Sequence, residues 1–466
     1  MPDRAPTIVW FRRDLRVADH PALAEATAAG PVLCVWILDP DLTGRRHHRA
    51  TNRLRFLRAG LDALDAELRE IGGSLVLRKG APQSVLLELA SQVGASRVLC
   101  TREISPRGRA RDARVAAALA RERVRLEALP GDLVVEPEDL EGASGRGYLV
   151  FTPFYTAWRQ LPLPADPPTQ KMRGLAAGSD RLDLPAGDPI VPAGPAEARE
   201  AIVRFIRSGD ADGYGENRDD LAADRTSRLS PYLRFGMCTG AQIGRALGLP
   251  GELSGGRASY WRQICWREFY HHHLARYPEV AREALRESLR AIRWNDVPAD
   301  LAAWEAGETG YPLVDAGMRQ LDAEGWMHNR ARMVTASFLI KDLLVDWRKG
   351  ETVFMRKLLD GDPASNNGGW QWTAGTGTDA APYFRVFSPS RQAERFDPGG
   401  RYIRRWLPEL RDVPAKRVFE PWTMTAEEQA AAGCRIGRDY PAPRVDHGER
   451  RLEVVERYKQ ASSNAA

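Results

Sequence analysis

Thr7-Ile8-Val9-Trp10-Phe11, followed by Arg12-Arg13-Asp14-Leu15-Arg16, is the stretch on which the fold class turns. Four apolar residues led by a β-branched threonine, with no helical period, read as a short buried strand. A dehydrogenase-type sheet would continue into G-x-G-x-x-G; this chain continues into arginines, so that kind of dinucleotide fold is disfavoured. Working outward, Val32 to Leu38 is a second strand, and Leu54, Leu57, Leu61, Leu64, Leu68 and Ile71 recur at three-and-four spacing, as one face of a helix does. Leu75-Val76-Leu77 predicts a strand, Val85 to Val93 a helix, Arg97 to Cys100 a strand, Ala110 to Arg121 a helix and Val124 to Leu129 a strand. This alternation predicts an α/β domain with a doubly wound, Rossmann-like parallel sheet. Ligands in such sheets lie at the carboxyl ends of the strands, which places Arg12, Arg13, Asp39 and Glu103 near any crevice.

From Leu161 to Pro195 the chain is rich in Pro, Gly, Ala and Asp and reads as a linker. Helical periods follow at Ala198 to Ser208, Gly240 to Leu247, Arg257 to Arg276, Pro312 to Ala323 and Asn329 to Asp346, so the second part is all-α. The expected division is 1–131 for the sheet domain, 132–198 for the linker and 199–466 for the helical domain. Ten of the 13 tryptophans lie beyond residue 200, so aromatic chemistry belongs to the helical part. The tail Gln460 to Ala466 is polar and expected to fray.

Hydrophobic residues make up 43% and charged residues 28%, as in ordinary water-soluble domains. No run reaches membrane-span length and the N-terminal residues lack a secretory apolar region, so the expected address is cytoplasmic, or nucleoid-associated on DNA. A net charge of +5 permits nucleic-acid binding without demonstrating it. Cys34, Cys100, Cys238, Cys265 and Cys434 form no C-x-x-C pair, which predicts reduced, mostly buried thiols. His271-His272-His273 point about 100° apart on a helix and do not converge on one ion, so no metal is expected.

Four segments carry possible chemistry. Asn366-Asn367-Gly368-Gly369-Trp370-Gln371-Trp372, with Thr378 to Arg385 after it, combines small and amide residues, which favour irregular backbone, with stacking faces. It reads either as a wall for a large flat cofactor or as a helix cap followed by core aromatics. Thr226-Ser227-Arg228-Leu229-Ser230-Pro231 reads either as a phosphate cradle at a helix start or as a plain N-cap run. Gln263, Trp266, Arg267 and Tyr270 share a helix face; they could read, stack on and grip a nucleotide, or belong to an amphipathic core helix. Asn329, Arg332 and Met333 share another face, with Arg330 turned elsewhere.

Taken in order, these segments resemble the photolyase and cryptochrome family of flavoproteins, most closely class I cyclobutane pyrimidine dimer photolyases. The likeness runs from Trp10 to Leu410 and is densest from Trp326 to Phe387. It implies a helical domain that holds FAD, active when fully reduced. Carried over position by position, Tyr214, Thr226, Ser227, Arg228, Leu229 and Ser230 would contact the FAD phosphates and their surroundings. Asn329, Arg332, Asp360, Gly361, Asp362 and Asn366 would line its flavin and ribose side. Asn366 matches the position near flavin N5, where an amide is no proton donor. Trp370, Trp347 and Trp294 match the electron-transfer chain that photoreduces the flavin.

The implied reaction is light-driven electron transfer from reduced FAD to a pyrimidine dimer flipped out of UV-damaged DNA, which opens the cyclobutane ring and returns the electron. Trp266 and Trp372 would stack on the lesion, and Gln263, Asn329, Met333 and Gln392 would complete its pocket. Arg218, Arg267, Arg330 and Arg385 would hold phosphates. Cyclobutane-dimer enzymes usually carry Glu where this chain has Gln263; (6-4) photolyases carry Gln. The (6-4) enzymes, however, place histidines where Asn329 and Met333 stand, so the expectation is cyclobutane specificity. Leu38-Asp39-Pro40 and Arg107-Gly108-Arg109 imply an 8-hydroxydeazaflavin antenna, with methenyltetrahydrofolate second and an empty crevice third. The rival expectation is a cryptochrome-like light sensor, against which stand the short tail beyond Pro408 and the lesion-pocket residues. A monomer without membrane association is expected.

Overall fold

The computed structural model describes residues 5–43, 50–142, 145, 147–168, 170–382 and 384–463. Tyr383, the first four residues and the last three, which entered the sequence reading above, lie outside this set. By packing, the chain divides into two compact units, Met1–Gly215 with Ser227–Pro278, and Glu216–Thr226 with Glu279–Ala466.

The first unit is built on five parallel strands, β1 (Thr7–Phe11), β2 (Val32–Leu38), β3 (Leu75–Lys79), β4 (Arg97–Thr101) and β5 (Arg125–Leu129), in the order 3-2-1-4-5. Every residue of β1 and β2 is buried, as central strands covered on both faces must be. One face packs Ile8, Trp10, Leu33, Val35 and Val98 against Leu86, Leu89, Val115 and Leu119 of the crossover helices. The described residues of 161–194 form no helix or strand, yet part of this linker is tied down along the open edge of β3. Asp180 N–H donates to Leu77 O at 2.7 Å, and Leu77 N–H donates to the Ser179 hydroxyl at 3.1 Å. These bonds satisfy backbone groups that would otherwise offer a template for another strand.

The arginine run after β1 is a fastening point. Arg16 is 1% exposed and donates to the carbonyls of Asp19, Gly131 and Gly236. Gly236 has φ 61°, and a Cβ there would lie 2.1 Å from Arg13 O, so this close approach admits only glycine. Asp14, also 1% exposed, accepts from Arg12 N–H and the Thr101 hydroxyl and pairs with His20 at 3.1 Å. Burial alone would raise this carboxyl; His20, the Arg12 amide and Thr101 bring it below the usual carboxylate range.

The second unit is helical. Its core gathers Trp304, Val314, Met318, Phe338, Leu339, Trp347, Phe354 and Trp370. The single helix expected over Asn329 to Asp346 is broken: it runs Asn329–Ser337, passes into a π-helical turn Phe338–Asp342, and stops before Leu344 at φ 56°. Asp346 then caps a separate helix, Trp347–Lys357. The apolar period ran on through the break and hid it. The stretch Asn366 to Trp372 is likewise not irregular: it lies within the helix Pro363–Ala374, capped by Asp362, whose carboxylate accepts from Ser365 N–H at 2.9 Å. That cap and a proline at the first turn outweigh the low helix preference of Asn and Gly. Among the described residues no helix is long and apolar enough to cross a membrane.

Candidate active site

In the first unit the helix Gly255–Arg276 carries one group of expected site residues. Trp266 is half-buried; one ring face stacks on Phe151 at 3.7 Å and 4°. Gln263 donates back to Ser259 O at 3.3 Å. Arg267 bonds Asp132 at 2.8 Å and is only 14% exposed, so its charge is neutralised within the fold. Beside them lies Glu268, to which the sequence reading gave no role. It is fully buried, and its carboxylate accepts from Val134 N–H, Val135 N–H and Trp158 Nε1–H at 2.7, 3.0 and 3.0 Å. Three donors converging on one carboxylate fasten Val134, Val135 and Trp158 to the helix that presents Trp266. His271, His272 and His273 are buried, and burial takes His272 and His273 down to about 4. Among the described residues no group of three or more His, Cys, Asp or Glu is placed to hold a metal ion.

Ser227 to Ser230 also belong to the first unit. Arg228 has φ 49° and Leu229, right-handed at φ −80°, is the N-cap of the helix Ser230–Arg234, with no side-chain cap bond. Alternating handedness turns successive N–H groups toward one side and makes an anion-accepting concavity. A positive φ at a bulky residue is strain of the kind held at binding sites. The Ser227 hydroxyl is engaged with Tyr260 at 2.7 Å and with Leu229 N–H at 3.3 Å, so it shapes the turn. Tyr214 packs edge-on to Tyr260 at 5.0 Å.

In the second unit, Arg332 donates to Met327 O at 2.8 Å and to one oxygen of Asp360 at 2.9 Å. The other oxygen, Asp360 Oδ1, is buried with no partner among the described residues; so are the Thr226 hydroxyl, Gln392 Oε1 and Trp370 Nε1. Such orphans are rare unless something polar fills the space. Gly361 is buried between Asp360 and Asp362, and Asp362 caps the helix that carries Asn366, Trp370 and Trp372. Asn366 and Trp370 are one turn apart on one face; Trp372 lies about 200° round the helix from Trp370. Asn366 donates to Glu351 O at 3.1 Å and Asn367 to the Glu351 carboxylate at 3.2 Å. Burial pushes that carboxyl up to about 7, the Asn367 bond opposing it.

Trp370 and Trp347 are each 2% exposed, while Trp294 is half-buried against the same core and edge-on to Tyr458 at 6.3 Å. Two of the three are therefore interior and the third lies nearer the surface of the same unit. Trp370 sits among Phe354 at 5.0 Å, Trp304 at 6.1 Å and Gly350. A Cβ at Gly350 would lie 2.2 Å from the Trp370 indole. Gly350→Ala is therefore expected to tilt Trp370 and destabilise this unit by about 1–3 kcal/mol, seen as a lower melting temperature. An unchanged melt would mean that the indole is not held at that wall.

The nucleic-acid residues differ in availability. Arg330 is bonded to Asp219 at 2.8 Å and lies over the Phe396 ring at 4.1 Å. Asn329 and Arg385 are exposed; Arg218, Met333, Trp372 and Gln392 are half-buried, and Asn329 touches Met333 Sδ at 3.7 Å.

The crevice side of the sheet is rich in ion pairs. Arg12 binds Asp112 at 2.6 Å, Arg13 binds Asp132 at 3.3 Å, and Asp39 is buried after β2. Burial acts to raise Glu103, but Arg13 and Arg12 bring it down to about 2. A Cβ at Gly108 would lie 1.8 Å from Glu103 Cγ, so the acid at 103 packs over the glycine at 108.

Residues 7–171 match the model of DNA photolyase, and residues 260–460 that of the FAD binding domain of DNA photolyase. A deoxyribodipyrimidine photo-lyase of Salmonella typhimurium is 40% identical over 98% of this chain and 99% of its own. This chain belongs to the DNA photolyase family. Within that family, the crystal structure of a bacterial class III photolyase from Agrobacterium tumefaciens superposes with a TM-score of 0.92 at 38% identity, covering 99% of both chains. A cryptochrome of Synechocystis superposes with a TM-score of 0.89 at 28% identity, over 98% of this chain and 100% of that one. The expected architecture, a parallel-sheet domain followed by a helical FAD-binding region, is the one found.

Proposed function

We propose that this protein is a deoxyribodipyrimidine photo-lyase that repairs cyclobutane pyrimidine dimers in UV-damaged DNA under blue light. One observation carries the reading: a single capped helix starts at the buried Asp360–Asp362 segment and bears Asn366, Trp370 and Trp372, and Asp360 is held by Arg332 with a buried carboxylate oxygen left over. That oxygen and the Thr226 hydroxyl supply polar partners for FAD, and the turn at Arg228 offers backbone N–H groups to its phosphates. When bound and reduced, FAD supplies the photoexcited electron that splits the dimer. The protein's own residues bind and orient. Gln263 offers an amide oxygen to a base N–H, Trp266 and Trp372 offer ring faces, and Met333 with Asn329 adapts to the lesion's shape. Asn366, an amide, holds its site without serving as an acid. Arg218 and Arg385 contact phosphate; Arg267 and Arg330, already paired with Asp132 and Asp219, position the helices that carry the pocket.

The carboxyl-end side of the sheet, where Arg12, Arg13, Asp39 and Glu103 lie, is proposed to take 8-hydroxydeazaflavin, with methenyltetrahydrofolate or no antenna as the alternatives. We further propose a cytoplasmic monomer. The likeness to a cryptochrome favours one second reading, a light sensor on the same fold.

Blue-light treatment of an oligonucleotide with one thymine cyclobutane dimer by the reduced protein, with a dark control and a (6-4) lesion in parallel, tests this. Restoration of the cyclobutane substrate alone, and only in light, is expected. Repair of neither lesion by protein with bound, photoreducible flavin would give the sensor reading its place.

A further inference from the structure

Beside Trp266 the first unit carries a ladder of stacked rings and guanidinium groups that the site described above does not use. The short helix Phe151–Trp158 places Phe151 on Trp266 and sets Tyr155 nearly parallel to Phe151, at 13° and 5.9 Å. Arg262, four residues before Trp266 on its helix, lies 5.2 Å from both the Phe151 and the Tyr155 rings. Arg159 lies 5.8 Å from Tyr155. Both arginines are exposed, and among the described residues neither makes an ion pair or a side-chain hydrogen bond. This sets them apart from Arg12, Arg13, Arg267 and Arg330, all of which have carboxylate partners. Leu149 and Val150, 47% and 50% exposed, precede the ladder, so the face is apolar as well as cationic.

We propose that the face of Arg159, Tyr155 and Arg262, continuous along the helix with Gln263 and Trp266, binds the sugar–phosphate backbone of DNA beside the flipped dimer. The proposal rests on the assignment of Gln263 and Trp266 to the lesion pocket. A guanidinium stacked on a ring has lost much of its freedom beforehand, so less rotamer entropy opposes a phosphate contact. Its planar fork of donors also suits bidentate contact with phosphate oxygens. Rings and cations in alternation, with no acid among them, suit a polyanion that carries flat bases.

The test measures affinity of the flavin-loaded protein for the dimer-containing oligonucleotide, and for its undamaged single strand, between about 50 and 200 mM salt. In the double variant Arg159→Ala/Arg262→Ala, the plot of log affinity against log salt is expected to become shallower by roughly 1.5, with affinity down roughly tenfold or more at the lower salt. Arg159→Lys/Arg262→Lys should keep most of the slope, and Arg121→Ala, an exposed arginine on another helix, all of it. A lower melting temperature with the parent's salt slope would assign the two arginines to packing and overturn the proposal. Repair by the parent with an unaltered slope in the double variant removes this surface and leaves the repair function standing. No repair by the parent, with the slope still shallower in the variant, removes the function and leaves the surface.

Discussion

A Trp370→Phe variant is expected to lose light-driven reduction of its oxidised flavin by roughly 100-fold or more, yet to repair cyclobutane dimers near the parent rate once chemically reduced. Phenylalanine fills most of the indole's space between Phe354 and Gly350, so the flavin should still bind. What the substitution removes is a buried oxidisable ring from a set of three: Trp370 and Trp347 are 2% exposed and Trp294 is half-buried. Trp304 is the control. It is fully buried, its N–H is bonded to Thr335 O at 2.9 Å, and it meets Trp370 edge-on at 6.1 Å. Trp304→Phe is expected to leave photoreduction intact, because this indole is fully buried and its N–H is bonded inside the core. Transient absorption after a blue flash reads both variants. Loss of the signal in the Trp304 variant with retention in the Trp370 variant would transfer the role to Trp304.

Much of this was legible in the sequence because periodicity and strand alternation are local signals. The buried pentapeptide at Thr7 and the leucine ladder from Leu54 lie where they were expected, in a strand and in the helix Thr51–Glu70. The helix Gly240–Leu247 has the predicted limits, since Thr239 and Gln242 form a capping box around its start. Three features were illegible for physical reasons. The π-turn at Phe338–Asp342 interrupts a helix without interrupting its apolar pattern. Asn366 to Trp372 looks irregular by composition, and its helicity depends on Asp362 and Pro363 just upstream. The short helix Phe151–Trp158 lies in a region read only as linker, and its Phe151 reveals itself only when Trp266, more than a hundred residues away, stacks on it. Site chemistry followed the same divide. Residue types at Asn366, Arg332 and Asp360 could be matched by motif, but that Arg267 and Arg330 are already paired depends on Asp132 and Asp219, distant in sequence.

Glu268 is the strongest case of a residue whose weight comes only from tertiary contacts, and its removal is the second large expected effect. Glu268→Ala leaves the amides of Val134 and Val135 and the Trp158 indole N–H without an acceptor, in a site with no exposure to water. Each abandoned buried donor costs about 1–3 kcal/mol, and relaxation of the 132–158 segment recovers part of the sum, so a net loss of about 3–5 kcal/mol is expected. Glu268→Gln should lose about 1–3 kcal/mol, because its amide nitrogen faces a donor where a carboxylate oxygen stood. The pH dependence has a defined sign. Burial raises the folded-state carboxyl above its unfolded value, and Arg267 with the three donors offsets this only in part. The folded protein thus holds this proton more tightly, so the contribution is fully present below the unfolded value of about 4.3 and is lost as pH rises through the raised one. Relative to Glu268→Gln, the parent should therefore weaken as pH climbs through that window. Hydrogen exchange at the Val134 and Val135 amides reads the local effect, and in Glu268→Ala it should speed up by roughly 100-fold or more. Because the same segment carries Asp132 to Arg267 and Phe151 to Trp266, affinity for dimer-containing DNA should fall with it. Unchanged exchange at the two amides, with DNA affinity still reduced, would mean that Glu268 acts on the pocket directly and does not work through the segment it fastens.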